Sequence, residues 1–319
     1  MAPSSVRVAL ITGASSGIGL ALTQHLLSKP SPTWHVVLAD MNPPPASANL
    51  PASRTRYIHT NVADWSSQAS CFREAFSWHS RLDFAALNAG IDDRDDIFNS
   101  MDFSLSQPDG PPKPNMLTFD VDFYAVYYGI KLCAYYFSAS PQHIKPTSNG
   151  EERGVMVLTA SAAGLYPNPA IPQYSASKEA LISLTRSLAP RAQEHGIRMN
   201  ALCPAMVPTN LAPPGLMDVV PDEGVTPMST ILRAYDEMMD PKGGPSGRGR
   251  NGGVVEANVQ DLDWKENEGW KPKIEKEGKG LWRAREVMGT WNKVYLERNR
   301  RWAIGDWDEN REKVQRGKL

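Results

Sequence analysis

Tyr174 and Lys178 stand four residues apart in a segment, Tyr174 to Ala192, whose apolar spacing predicts a helix. Helix positions i and i+4 share one face, so the phenol and the ammonium should lie side by side. An ammonium there stabilises a phenolate and lowers the tyrosine pKa from its usual value of about 10. The tyrosine can then exchange a proton with a substrate oxygen near neutral pH. Ser161, thirteen residues earlier, follows a predicted strand, and its hydroxyl can hold the same oxygen. A Tyr–Lys pair by itself is commonly a surface pair. Here it shares the chain with Ser161 and a glycine-rich turn, and coincidence becomes a poor explanation.

That turn reads Gly13-Ala14-Ser15-Ser16-Gly17-Ile18-Gly19, a G-x-x-x-G-x-G spacing between an apolar strand, Val6 to Thr12, and a helix from Gly17. Glycine lets backbone N–H groups approach a pyrophosphate with no Cβ in the way. The helix N-terminus adds a dipole that favours the anion. Asp40 ends the second predicted strand, 21 residues after Gly19. A carboxylate there can accept from both hydroxyls of an adenosine ribose and repels a 2′-phosphate. No Arg or Lys stands at Ser15, Ser16 or Met41, so NAD is expected in preference to NADP. A plain strand-end turn would also explain Asp40.

These groups need a scaffold that gathers them at one edge. Apolar strands at Val6 to Thr12, Trp34 to Ala39, Tyr57 to Thr60, Phe84 to Leu87, Val155 to Thr159 and Arg198 to Leu202 alternate with helical stretches at Gly17 to Leu27, Ser66 to His79, Thr118 to Phe137 and Tyr174 to Ala192. Continuous apolar strands separated by helices describe a parallel sheet buried on both faces. The expected class is therefore α/β, a Rossmann-type doubly wound parallel sheet in three α/β/α layers. Beyond Pro204 the periodicity fades, though Met228 to Met239 can form a helix and Gly253 to Val259 a last strand. A dinucleotide-binding and catalytic domain over residues 1–260 is expected, followed by a charged, tryptophan-containing extension over 261–319.

With 319 residues and a formal net charge of −1, the chain has no electrostatic reason to bind nucleic acid or an anionic membrane. No apolar run is long enough to span a bilayer, and no signal-peptide pattern is visible. Three scattered cysteines, Cys71, Cys133 and Cys203, show neither metal-ligand spacing nor a disulfide framework. No metal and a cytoplasmic location are the resulting expectations.

The ordered set Thr12-Gly13 to Gly19, Asn88-Ala89-Gly90, Ser161, Tyr174-Ser175-Ala176-Ser177-Lys178 and Arg198-Met199-Asn200 up to Pro204 resembles the short-chain dehydrogenase/reductase family over about residues 6 to 210. Ser161 to Pro167, and the Met228 helix followed by Gly253-Val254-Val255-Glu256, are similar to its hydroxyprostaglandin dehydrogenase-like branch. The resemblance implies an NAD(P)-dependent oxidoreductase acting on a secondary alcohol or ketone. It makes Tyr174 the general acid/base and Ser161 the group orienting the substrate oxygen. Lys178 would bind the nicotinamide ribose. Asn88, Ala89 and Gly90 would line the adenosine side, Val62 would flank the adenine, and Val207 and Thr209, after Pro204, would contact the carboxamide.

Three positions depart from the family pattern. Asp122 stands where the family has an asparagine that bends the long helix and holds a water linked to the lysine; pairing of Asp122 with Lys178 through such a water is one expectation, and a carboxylate that only caps a bend by accepting an N–H is the other. Asn61 stands where an aspartate meets the adenine amino group. Ala205 replaces a glycine after Pro204. A cofactor-binding protein of this fold without redox chemistry (a cyclase, scaffold or redox-sensing regulator) stays open as the alternative. Substrate walls are expected from Ile91 to Asn115, Leu165 to Gln173 and Ala205 to Pro227, whose Tyr166, Ile171, Met206, Leu211, Leu216 and Met217 suggest a mainly apolar small molecule. Val126, Tyr127, Ile130 and Tyr136 are expected to form a second buried face in a homodimer or homotetramer.

Overall fold

The computed structural model describes residues 6–98, 110–140, 152–213 and 215–265. Its strands are β1 (Val6–Thr12), β2 (Thr33–Asp40), β3 (Thr55–His59), β4 (Phe84–Leu87), β5 (Gly154–Thr159), β6 (Ile197–Pro204), β7 (Val254–Asn258) and β8 (Asp261–Lys265). They form one sheet in the order β3-β2-β1-β4-β5-β6-β7-β8. All pairings are parallel except that of β7 with β8.

The strands are apolar throughout because helices cover both faces. Val8 and Leu10 of β1 point to one face and Ala9 and Ile11 to the other, as the two-residue period requires. On the first face Leu10 joins Phe72 of α2 (Trp65–His79), Val126, Leu132 and Phe137 of α4 (Ala125–Ala139), and Leu181 and Ile182 of α5 (Pro172–Glu194). On the second face Ile11 joins Leu22 and Leu26 of α1 (Gly17–Ser28) and Ile231, Tyr235 and Met238 of α6 (Met228–Met239). The three-layer architecture follows.

The chain runs outward from β1 to β2 and β3, then returns to the other side of β1 as β4. Loops leaving β1 and β4 therefore diverge, and the crevice between them at the carboxyl edge is where such sheets take ligands. Thr12 and Asn88 close the floor of that crevice. Thr12 Oγ1 accepts the N–H groups of Asn88 at 2.9 Å and Ala89 at 3.0 Å, and Asn88 Oδ1 accepts from Thr159 Oγ1 at 3.2 Å. Strands β1, β4 and β5 are thereby pinned together at the site.

Three features differ from expectation. The sheet does not stop at residue 260: β8, the start of the expected extension, returns antiparallel, with a positive φ of 51° at Val259 turning the chain. Leu262 and Trp264 pack on the core while Asp261 and Asp263 face outward. The rest of the expected extension lies outside the described residues. Second, the long helix starts as α3 (Leu117–Phe119) and passes through a π-helical turn, Asp120–Tyr124, before α4. Third, Val126, Ile130 and Tyr136 are used inside the subunit, and only Tyr127 of that expected outer face is half exposed. Among the described residues no helix is long and apolar enough to cross a membrane.

Candidate active site

At one end of the crevice, the β1–α1 turn and the end of β2 are locked together. Gly13 N–H donates to Ala39 O at 2.9 Å. Asp40 accepts from the N–H of Ser15 through Oδ2 and of Asn42 through Oδ1, each at 3.0 Å. The Ser15 hydroxyl donates to Asn42 O at 2.6 Å. Gly19 has no room for a side chain, since a Cβ would sit 2.1 Å from Gly13 O. Ser16 is exposed and its side chain caps nothing, so the first N–H groups of α1 are open to an anion. Gly17 lies against Thr209, which brings the segment after β6 over the same helix start.

The other expected cofactor residues sit around this turn. Val62 shares a crevice with Thr12, Leu87, Ala89 and Val121. Asn61 is exposed, and its Oδ1 already accepts Ala63 N–H at 3.0 Å, leaving one lone pair for a ligand. Pro204 ends β6, and Val207 is buried in the core beneath α1.

At the other end, four side chains meet. Tyr174 and Lys178 share one face of α5, with Lys178 Nζ 5.2 Å from the phenol ring centre. The Ser161 hydroxyl accepts Ala163 N–H at 3.1 Å and lies where it favours ionisation of the Tyr174 phenol. Lys178 Nζ donates to Thr159 O at 3.0 Å and lies 3.0 Å from Asp122 Oδ2. Asp122 Oδ1 accepts Ile91 N–H at 2.8 Å. The expectation of a bridging water is corrected here: the two charges touch directly. They do so because the π turn swings Asp122 inward and because Gly90 lacks a side chain, where a Cβ would sit 3.1 Å from Asp122 Oδ2 and 3.2 Å from Lys178 Nζ. The carboxylate also takes a backbone N–H, that of Ile91 in the loop after β4. The lysine hydrogen-bonds Thr159 O and meets Asp122 as an ion pair, which leaves N–H capacity for a ligand hydroxyl.

Electrostatics modifies the expected acid/base. Burial raises the pKa of Tyr174 well above that of a free phenol, and the Asp122 carboxylate adds to the rise; the bond from Ser161 acts the other way. The ammonium of Lys178, 5.2 Å from the ring centre, is paired with Asp122 at contact distance. Asp122 itself has its pKa raised by complete burial, opposed by the charge of Lys178 and the N–H of Ile91.

One residue escaped the sequence reading. Asp93 is wholly buried and accepts the backbone N–H groups of Gln173 at 3.0 Å and Tyr174 at 2.5 Å. The signal was the start of α5 itself: Ile171 and Pro172 offer no capping side chain, so a cap had to come from elsewhere in the chain.

The short chain dehydrogenase family matches residues 7–215. A short-chain dehydrogenase/reductase of Penicillium rubens, prx7, is 32% identical over 241 residues, covering 73% of this chain and 79% of that protein. Human 15-hydroxyprostaglandin dehydrogenase [NAD(+)] is 29% identical over 209 residues, 64% of this chain and 69% of that one. The solved structure of 4-hydroxyisoleucine dehydrogenase complexed with NADH shares the fold, with a TM-score of 0.62 at 20% identity over 79% of this chain and 97% of that chain.

The buried pair yields a pH-dependent stability. A group whose pKa is raised on folding contributes stability below its unfolded pKa and loses it as pH rises through the folded pKa. Lys178→Met removes the charge that holds the Asp122 pKa down, so that pKa rises further. At neutral pH the variant should lose about 3–5 kcal/mol, the cost of orphaning a buried charge. The loss should shrink as pH falls and Asp122 takes up a proton. Urea unfolding at several pH values checks this; a loss independent of pH contradicts it.

Proposed function

The chain belongs to the short-chain dehydrogenase/reductase family and is an NAD(P)-dependent oxidoreductase, and from that premise we propose that it moves a hydride between NAD and a largely apolar secondary alcohol or ketone. The observation that carries this reading is the meeting of Tyr174, Lys178 and Asp122, with Ser161 acting on the same phenol, in a crevice whose other end is the open start of α1.

A bound nicotinamide ring supplies the carbon that exchanges the hydride. In alcohol oxidation Tyr174 Oη takes the hydroxyl proton, and in ketone reduction it returns one. Ser161 Oγ holds the substrate oxygen against the phenol. Lys178 donates its remaining N–H to a ribose hydroxyl, and Asp122 holds the ammonium in place. Gly13, Ser15, Ser16, Gly17, Ile18 and Gly19 receive the pyrophosphate. Asp40 receives the adenosine ribose, and the exposed Met41 beside it offers no cation for a 2′-phosphate, which supports NAD over NADP. The adenine end falls to Asn61, Val62, Asn88, Ala89 and Gly90, and the carboxamide to Pro204, Val207 and Thr209. Tyr174 is packed among Ile171, Met206, Leu216 and Val220, which supports an apolar substrate. The alternative of a non-redox cofactor-binding protein has no comparable observation behind it; among the relatives, the human protein is named a dehydrogenase that uses NAD(+).

A second copy is the proposed partner of α4. Tyr124, Tyr127 and Tyr135 lie at helical spacing and are about half exposed or more, and the exposed Trp65 packs edge-on against Tyr128. Exposed aromatics at such spacing suit a subunit interface. Light scattering at micromolar concentration should give a dimer or tetramer; a monomer mass overturns this part.

The functional test uses the full chain with NAD and a panel of secondary alcohols, following reduced nicotinamide by absorbance. Wild type should bind NAD more tightly than NADP and turn over at least one apolar alcohol. Tyr174→Phe should keep that cofactor preference while turnover falls about 10²–10⁴-fold, the usual worth of a positioned acid/base. Near-normal turnover by Tyr174→Phe, or tighter binding of NADP, contradicts the reading.

A further inference from the structure

We propose that Asp93 is a positioning residue for the reaction, holding Tyr174 by its backbone from the loop that follows β4; this rests on the acid/base role of Tyr174 given above.

A helix leaves its first N–H groups without intrahelical acceptors, and a buried N–H without a partner is costly. At the start of α5 each one can be followed. Ile171 N–H donates to Asn168 O at 3.1 Å, Pro172 has none, and Ser175 N–H donates to Ile171 O at 2.9 Å. Gln173 and Tyr174 remain, and both donate to the Asp93 carboxylate, through Oδ2 and Oδ1. Asp93 thus supplies the whole side-chain cap of the helix that carries Tyr174 and Lys178, from a segment about eighty positions away in the chain. A charged acceptor makes these bonds stronger than neutral ones.

The loop bearing Asp93 is itself tied down on each side of it. Ile91 N–H donates to Asp122, and Thr118 Oγ1 donates to Asp92 O at 3.0 Å. Asn115 N–H donates to Asp95 at 2.8 Å, and Asn115 O accepts from Gln173 Nε2 at 3.0 Å. The carboxylate therefore joins two rigid parts. One is the Asp122 turn that holds the lysine; the other is the first turn of α5 that holds the tyrosine. Without it, Tyr174 would keep its side-chain chemistry but lose the bond that sets the height of its phenol over Ser161.

A double-mutant cycle tests this, with the best-oxidised alcohol of the panel as substrate. Asp93→Asn leaves one acceptor oxygen and should fold; Asp93→Ala removes both. Asp93→Asn should lower kcat about tenfold or more, since small misplacement of a reacting group costs up to about 10²-fold, with NAD affinity unchanged. In the Tyr174→Phe background the same substitution should cost nothing further in kcat, because the group it positions is gone. Equal losses in both backgrounds would assign Asp93 a structural role only and overturn the proposal. A second readout needs no substrate. Amide hydrogen exchange in the peptide spanning Gln173 and Tyr174 should speed up in Asp93→Asn; unchanged protection there overturns the proposal whatever the rates show. Failure of the underlying reading looks different: Tyr174→Phe alone would then retain activity.

Discussion

The contact between Asp122 and Lys178 is the interaction on which the site depends. Both groups are buried, and each is costly to bury alone. Together with the Ile91 N–H and the Thr159 carbonyl they form one charge-compensated cluster. That cluster joins four pieces of chain: the turn after β4, the π turn before α4, the end of β5, and α5. Removing any one leaves a buried polar group without its partner. The π turn is the backbone's contribution, since an unbroken α-helix would carry Asp122 with a different phase. Gly90 is the other requirement, because a side chain there would press on both charges.

An ion pair placed one helical turn from the reacting tyrosine also sets what the tyrosine can do. An isolated ammonium would draw the phenol toward ionisation. Paired at contact distance with a carboxylate, it presents a dipole instead of a net charge, and Tyr174 holds its proton strongly. Asp92 and Cys203 add to that effect, and Ser161 opposes it. The site is thus biased toward a protonated phenol, the form that donates a proton to a ketone. Alcohol oxidation, which needs the phenolate, is expected to rise with pH. Burial of the phenol is the largest source of this bias, and the Asp122 charge, where the family has a neutral residue, adds to it.

Most of the architecture could be read from apolar runs, because strands buried on two faces have few other solutions. Phe84–Leu87 and Met228–Met239 were legible to the residue. The Ser161, Tyr174 and Lys178 group could be read as well, since spacing on a helix and position after a strand are local properties. What escaped was non-local or cryptic. The antiparallel return of β8 is carried by Asp261-Leu262-Asp263-Trp264-Lys265, whose alternation was hidden in a charged run. The direct Asp122–Lys178 contact depends on a π turn that no periodicity announces. Asp93 could not be assigned from its own neighbourhood, where it is one of four aspartates between Asp92 and Asp96; only the uncapped start of α5 hinted that some carboxylate must reach it.

That the Asp122 carboxylate raises the proton affinity of Tyr174, beyond the effect of burial, is tested by the pH dependence of alcohol oxidation in Asp122→Asn. The neutral amide keeps an acceptor for Ile91 N–H but removes the negative charge. Both consequences act in one direction: the phenol loses a repelling anion and gains the full field of the ammonium. The acid limb of the pH–rate curve should move to lower pH, with NAD affinity retained. A curve that keeps its position while stability alone changes would show that Asp122 serves the fold and not the proton, and would contradict the account.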